Sequence, residues 1–395
     1  MAGGRPAGPC RKLRLRPGRA LGSPAEEAEV TPSEALRLLK TPITELDSLL
    51  QAASEARDRR TGKRLTYSPK VFLPVTNLCR DKCAYCTFRK SPRDPGAKTM
   101  SLDEIREVSS QGVQLRCSEA LMCLGDRPEA VYPSYREQLR KMGLETTAEY
   151  VYEACVVALA EGLLPHTNAG LLTKVEMERL RPVNVSMGLM LENVSPRLRE
   201  PGMAHAGAPD KEPALRIRML EEAGQLKIPF TTGILAGIGE TLEEQVDTLL
   251  EIARIHQQYG HLQEVIVQTF RAKPDIVMRD HLEMEDWELV RLVAVARLLL
   301  PDMNVQAPPN LTPLAHRMLI RAGINDWGGI SPVTQDFINP EAPWPHIETL
   351  RETCALEGYT VEPRLPVYQE YLEFVDPGLL GSVRENAERI GHVAA

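Results

Sequence analysis

Long apolar runs are missing from this chain. The most apolar stretch, Leu292 to Leu300, is broken by Arg297 and is far shorter than the ~20 residues a bilayer-spanning helix needs, which excludes a helical membrane span. Excess positive charge is missing too: 47 Lys and Arg against 54 Asp and Glu leave a net charge of −7, so there is no basic footprint to hold nucleic acid nonspecifically. Acidic residues are absent before Glu26, whereas Arg5, Arg11, Lys12, Arg14, Arg16 and Arg19 crowd the same segment. With no amphipathic face and no apolar h-region, residues 1–30 are expected to be a disordered basic tail and not a targeting signal, with Cys10 a bystander in it. No second C-x2-C or H-x3-H pair accompanies the one cysteine cluster, which weighs against a structural zinc site. What remains, 43% hydrophobic and 26% charged residues over 395 positions, is the balance of a soluble globular enzyme, large enough for one barrel or two ordinary domains.

The cluster itself is Cys79-Arg80-Asp81-Lys82-Cys83-Ala84-Tyr85-Cys86. Three thiolates so close in one loop can grip three irons of a 4Fe-4S cube and leave the fourth open, and an open iron can bind a second molecule and do chemistry on it. A disulfide is disfavoured, because neighbouring loop cysteines without a secretion signal point to a reducing, cytoplasmic compartment. The C-x3-C-x2-C spacing, with Tyr85 and Phe88 around the third cysteine, resembles the signature of the radical S-adenosylmethionine (SAM) enzymes. That resemblance implies that SAM chelates the open iron, that one electron from the cluster breaks its carbon–sulfur bond, and that a 5'-deoxyadenosyl radical abstracts hydrogen from the substrate.

After the tail, Thr31-Pro32-Ser33-Glu34 opens a helical pattern that runs to about Arg60 with a break near Pro42. From Tyr67 onward short β-rich segments alternate with longer helical ones, which predicts repeated strand–helix units and a parallel sheet. Strands are expected near Val71 to Val75, Glu119 to Leu124, Leu164 to Asn168, Val183 to Met190, Phe230 to Ala236, Glu264 to Phe270, Asn304 to Ala307 and Asn325 to Ile330. About eight repeats suffice to close a TIM-type (βα)8 barrel, complete or partial. The expected layout is an N-terminal helical segment at 31–64, a radical SAM barrel core at 65–310, and barrel completion with further helices at 311–395. In such a barrel the reactive rim lies where strands end, and the cysteine loop follows the first strand immediately.

Other rim positions carry candidate chemistry. Arg80, Lys82, Arg89 and Lys90 set cations beside the thiols, where they either lower thiol pKa or remain solvated. Tyr85 offers an aromatic face for the adenine of the cofactor. Gly125 and Asp126 open a stretch, Gly125-Asp126-Arg127-Pro128-Glu129, that sits where the superfamily has a Gly-Gly-Glu-like segment for the cofactor's amino group, though the double glycine is lacking. Glu192 is placed to accept from the cofactor's ribose hydroxyls or ammonium. Gly237 and Gly239 form a turn that lets a flat ring approach the main chain, followed by Thr241 as N-cap and Glu244 completing a capping box. Cys117, Cys123, Cys155 and Cys354 read as small hydrophobes.

Further segments narrow the resemblance: Pro74 through Cys79 and Cys86 through Arg89, Pro165-His166-Thr167-Asn168-Ala169-Gly170, Gln268-Thr269-Phe270-Arg271-Ala272-Lys273-Pro274, Gln306-Ala307-Pro308-Pro309-Asn310-Leu311, and Ile324 through Thr334. Over about Leu36 to Tyr371 the chain resembles the 7,8-didemethyl-8-hydroxy-5-deazariboflavin (FO) synthase family, in particular its CofG-type subunit. The resemblance implies one 4Fe-4S cluster held by Cys79, Cys83 and Cys86, with SAM as cofactor. It also implies a CofH-type companion enzyme that joins a tyrosine-derived hydroxybenzyl group to 5-amino-6-ribitylaminouracil, an external one-electron donor, and a ring-closing step on that adduct with loss of ammonia. His166, Asn168, Gln268, Arg271, Asn310 and Asp326 are the expected substrate contacts, and no catalytic side chain is needed because the radical arises on the cofactor. The alternatives are the companion's own reaction, adduct formation from tyrosine, and a zinc-stabilised binding module without catalysis.

Overall fold

The computed structural model describes residues 30–391; the basic tail expected at 1–30 lies almost wholly outside them. Eight parallel strands form a closed barrel: β1 (Arg64–Pro74), β2 (Glu119–Cys123), β3 (Leu164–Asn168), β4 (Ser186–Gly188), β5 (Phe230–Ala236), β6 (Leu262–Thr269), β7 (Asn304–Gln306) and β8 (Asp326–Ile330). Each pairs with the next in sequence, and β1 closes the ring by pairing with both β2 and β8. Helices return the chain between strands and bury one face on the barrel wall, as parallel connections require. Every residue of β5 is buried, the pattern of a strand covered by helices outside and side chains inside. The predicted Thr241–Glu244 capping box is formed, with the Thr241 amide donating to Glu244 Oε2 at 2.8 Å and the Glu244 amide to Thr241 Oγ1 at 3.2 Å. The same device opens the helices Leu102–Gln114, Thr147–Glu161 and Lys174–Leu180, so several βα turns are held from their own sequence.

Two expectations about the strands need correction. β1 starts at Arg64 and not Val71, because its first half pairs with a ninth strand, β9 (Thr360–Pro363), that the periodicity did not reveal. β4 is confined to Ser186–Gly188, since Arg181–Val183 coils into a 3-10 turn and beyond Gly188 only a single bridge, Glu192 to Ile234, continues the pairing. The segment after β9 plugs the barrel floor: the Pro366 carbonyl accepts from Ser186 Oγ at 2.7 Å and Gln263 Nε2 at 3.1 Å, and Tyr371 donates to the Leu262 carbonyl at 2.8 Å.

Arg297, which interrupts the most apolar run, is fully buried in the helix Asp286–Leu299. Its guanidinium donates to the carbonyls of Gly323 (2.8 Å) and Met303 (2.7 Å) and to Asn325 Oδ1 (2.7 Å). It thus ties this helix to the starts of β7 and β8 and satisfies carbonyls that would otherwise be buried without donors. No helix among the described residues is long and apolar enough to cross a membrane.

His261, just before β6, is fully buried between the rings of Phe230 and Tyr259. Burial pushes its pKa down to about 3, so the folded protein holds it neutral. Its contribution to stability is present above the unfolded value near 6.5 and is lost as pH falls from there towards the folded value. By pH 4 the loss should reach about 3 kcal/mol. In urea titrations the wild type should therefore lose stability more steeply than His261→Phe between pH 6.5 and 4; parallel curves for the two would contradict this.

Candidate active site

The loop after β1 places the cysteines over the C-terminal mouth of the barrel, and the loops after other strands hold it there. On the β2 side, the Arg80 amide donates to the Asp126 carbonyl (3.0 Å), the Gly125 amide to the Thr76 carbonyl (3.2 Å), and the Asp126 amide to Cys79 Sγ (3.1 Å). On the far side, the amides of Lys82 and Ala84 donate to the carbonyls of Gly207 and Ala204, each at 2.9 Å. Gly125 is required by space: a Cβ there would lie 2.4 Å from Cys79 Cβ and 2.4 Å from the Leu78 carbonyl oxygen. The turn expected to meet the cofactor through its backbone therefore also packs directly against the first cysteine.

Cys79, Cys83 and Cys86 line one cavity of about 270 Å³, and none of Cys117, Cys123, Cys155 or Cys354 does. Burial pushes the Cys79 thiol up to about 12, with Asp81 adding to the effect, and burial raises Cys83 well above its ordinary value against the opposing pull of Lys211. Of the loop's own cations, Arg80 is ion-paired to Asp126 and Lys82 is exposed, whereas Arg89 lines the thiol cavity. A soft all-sulfur set of three facing one cavity, with Cys79 and Cys83 held as thiols until a metal ionises them, fits an iron–sulfur cube with one protein-free corner.

Around the thiols the cavity wall is ionic. Glu192 sits at φ +64°, a left-handed conformation rare for a side-chain-bearing residue. That backbone turns its carboxylate onto Lys211 Nζ (2.7 Å), the Tyr85 hydroxyl (2.6 Å) and His205 Nε2 (3.0 Å). Burial alone would raise its pKa, but Lys211, His205 and Arg216 outweigh it and hold the carboxylate well below its usual range. The carboxylate oxygens of Asp81, Asp126 and Asp210 lie within 4.8 Å of one another, all buried. Burial, followed by Asp210, pushes Asp81 up to about 8, whereas Lys211 and Arg216 overcome burial to bring Asp210 down to about 2. Arg216 reaches Asp210 at 2.8 Å.

A second cavity, of about 180 Å³, lies deeper in the lumen and is lined by Lys70, Phe72, Glu119, His166, Glu264, Gln306, Asn310 and Trp344 among others. Asn168, Met190, Gln268, Ile338 and Asn339 line both cavities, so the two adjoin. Ionic groups on the floor are paired internally: Lys70 with Glu119 at 2.8 Å, and Arg364 with Glu264 at 2.7 Å and Asp326 at 2.6 Å. Burial brings His166 down to about 4, so its imidazole is neutral, and its Nδ1 lies 2.7 Å from Ser186 Oγ.

The structure sorts the expected residues. Tyr85, Gly125, Asp126 and Glu192 line the thiol cavity. Tyr85 also packs against the apolar cluster that holds Leu235, Phe270 and Ile276 while its hydroxyl is held by Glu192, so the residue is a fixed wall. Gly237 and Gly239 line neither cavity; the amides of Gly237 and Ile238 are taken by Glu240 at 2.7 and 2.9 Å, and the turn serves helix entry. His166, Asn168, Gln268 and Asn310 face the lumen, but Asp326 does not line either cavity, because its carboxylate is spent on Arg364 and Thr66. Arg271 borders the upper cavity with its guanidinium committed to the Leu311 carbonyl, Glu283 and Asp286.

Missed altogether were Asp81, Asp210, Lys211 and Arg216 above, and Lys70, Glu119, Glu264 and Arg364 below. A signal existed for some. Arg216 precedes Met219, Leu220 and Ala223 at helical spacing on the buried face of Pro213–Gln225, and Lys70 shares inward parity with Ser68 and Phe72 along β1.

Residues 73–252 match the Radical SAM superfamily. The chain is 50% identical over 309 residues to 7,8-didemethyl-8-hydroxy-5-deazariboflavin synthase of Methanopyrus kandleri, covering 78% of this chain and 92% of that one. It is 45% identical to the FO synthase of Streptomyces avermitilis over 94% of this chain but only 45% of that longer protein. Among solved structures, the FeFe-hydrogenase maturase HydG from Carboxydothermus hydrogenoformans superposes with a TM-score of 0.71 at 18% identity, over 92% of this chain and 86% of that one, a likeness of fold.

Gly125→Ala should displace the cysteine loop through the contact with Cys79. After anaerobic reconstitution its iron and sulfide content should fall to less than half that of the wild type. Gly381→Ala, with open space around its Cβ, should load normally, and full loading of both variants would contradict the packing argument.

Proposed function

The chain belongs to the 7,8-didemethyl-8-hydroxy-5-deazariboflavin synthase family of radical SAM enzymes, and from that premise we propose that it catalyses the ring-closing half of the synthesis. The substrate is the adduct of a hydroxybenzyl group with 5-amino-6-ribitylaminouracil. On this reading a hydrogen atom passes from the adduct to the cofactor fragment, a carbon–nitrogen bond between the ribityl-bearing nitrogen and the neighbouring aromatic carbon closes the central ring, ammonia and a proton leave, and one electron is given up. The activity is thus a carbon–nitrogen lyase of ammonia-lyase type. A 4Fe-4S cluster and SAM belong to the family; when bound they supply the one-electron reduction and the hydrogen-abstracting radical.

The protein's own part is to hold and enclose. Cys79, Cys83 and Cys86 ligate three irons, and the Asp126 amide steadies the first sulfur. Tyr85, Asp126 and Glu192, with Lys211 behind, form the wall against which SAM lies. His166, Asn168, Gln268 and Asn310 meet the adduct below. Lumen walls enclose the adduct and limit side reactions of a radical. A companion enzyme of CofH type supplies the adduct, an external carrier supplies the electron, and a reducing cytoplasm keeps the three thiols free.

The observation that carries the assignment to ring closure is the pairing of charges in the lower cavity. Lys70 answers Glu119, and Arg364 answers Glu264 and Asp326, so both cations lining the cavity are already neutralised and neither is free for the carboxylate of a zwitterion such as tyrosine. Its amides, imidazole and compensated ions suit a neutral ligand with many donors and acceptors. The match to less than half of the Streptomyces FO synthase supports a division of the overall conversion between two units.

Two measurements test this. Reduced, reconstituted protein given SAM and the preformed adduct should develop deazaflavin fluorescence, whereas tyrosine with the aminouracil should give neither adduct nor fluorescence; adduct made from tyrosine would assign the companion's role instead. Cys83→Ala should make no 5'-deoxyadenosine under the same conditions, and persistence of that product would remove Cys83 from the ligand set.

A further inference from the structure

Three features of the lower cavity concern one side chain. Lys70 lies on the inward series Ser68, Lys70, Phe72 of β1, inside a lumen where a lone ammonium would be costly. It is kept by Glu119, whose second oxygen accepts from Ser68. It also has room only because position 329 on β8 is glycine: a Cβ there would fall 1.7 Å from Lys70 Cε and 2.4 Å from Nζ. Gly188 on β4 does the same for the imidazole opposite, with its would-be Cβ 2.9 Å from His166 Nε2. Two strand glycines thus vacate space for two polar groups, which is what glycine in a strand interior marks when a group must approach the main chain closely.

An ammonium has three donors. One goes to Glu119, the Nζ also lies 5.6 Å from the centroid of the Phe72 ring, and among the described residues no other hydrogen-bond acceptor takes Lys70. The remaining donors belong to a cation already neutralised by its partner, which favours a neutral carbonyl oxygen over an anion. Above this level the wall becomes apolar: Phe72 stacks on Trp344 with ring centroids 5.0 Å apart at 20°, beside Leu121, Ile266 and Leu311. By strand register, Asn168 and Gln268 stand one inward position higher, at the junction with the thiol-lined cavity. The lumen therefore grades from hydrogen-bonding floor to aromatic wall to cofactor level.

We propose that Lys70 is the specificity-determining residue of the substrate cavity, donating to a ring carbonyl oxygen of the pyrimidinedione. The hydroxybenzyl ring then lies along Phe72 and Trp344, and the carbon joining the two rings sits at the cofactor level. This rests on the ring-closing reading and adds to it which end of the adduct points down and which residue reads it.

The test is equilibrium binding of 5-amino-6-ribitylaminouracil to the reconstituted holoprotein with SAM, alongside deazaflavin formation from the adduct. Lys70→Met combined with Glu119→Gln leaves no buried ion unpaired, and it should weaken aminouracil binding at least tenfold while iron content and SAM affinity stay as in the wild type. Gly329→Ala, which retains the lysine but blocks its groove, should weaken binding likewise. Unchanged affinity in both variants, or no binding of the aminouracil to the wild type, overturns the proposal. A wild type that binds the aminouracil in a Lys70-dependent way yet makes no deazaflavin sinks the ring-closing reading and leaves the binding site standing. Deazaflavin formation with Lys70-independent binding does the reverse.

Discussion

The contact between Cys79 and the bare main chain of Gly125 is what the rest of the active end depends on. Through it the β2 loop and the cysteine loop become one body: Gly125 and Asp126 take Thr76, Arg80 and the Cys79 sulfur as partners, and Asp126 passes the connection on to the Leu171 amide at 2.9 Å after β3. A reactive centre assembled from the ends of several strands needs such bracing, because a ligand set on a free loop would pay its ordering entropy on each loading. The position of the three thiols is thereby set by backbone geometry before any metal arrives.

Charge inside the lumen imposes the second constraint. Desolvating an ion costs several kcal/mol even after relaxation, and a buried pair is tolerable only where geometry and further hydrogen bonds answer it. Here several lumenal ions are answered twice or more. Glu192 has Lys211, Tyr85 and His205, and Arg364 has Asp326 and Glu264, with Tyr368 also on Glu264 at 2.9 Å. Such networks are poor sources of net stability. Their use lies in fixed dipoles that need not reorganise around a reacting ligand, within walls that limit side reactions of a radical. The strained backbone at Glu192 belongs here, since an extended residue would turn the carboxylate away from all its partners.

Strand–helix alternation made the barrel legible, because period-2 segments between amphipathic helices admit few topologies. The cysteine spacing was legible for the same local reason, as were the Thr241–Glu244 box and the inward residues His166, Asn168 and Gln268 at strand ends. Less visible was anything set by partners distant in sequence. β9 exists because Arg64–Tyr67 lacks a neighbour on one side, and neither segment announces the other. Asp326 looked like a rim carboxylate until Arg364, from the floor plug, claimed it. Gly237 and Gly239 looked like a ring-approach turn, but Glu240 closes it from within. Pairing of ions depends on tertiary register, which no window of sequence contains.

Glycine shows where that limit can be pushed back. Gly125 was read as part of a cofactor turn and Gly188 and Gly329 carried no reading of their own, yet each is an absence that another side chain or main chain occupies: Cys79, His166 and Lys70. In strands with one face on a helix layer and the other on the lumen, a glycine at inward parity lowers packing and raises conformational entropy without relieving any turn. It persists where the missing Cβ makes room for a group that matters more. Inward glycines of a barrel therefore point to functional side chains on the neighbouring strands. Gly188 and Gly329 point in this way to the imidazole and the ammonium that flank the deeper cavity, and the shape of that cavity follows from what those two positions leave out.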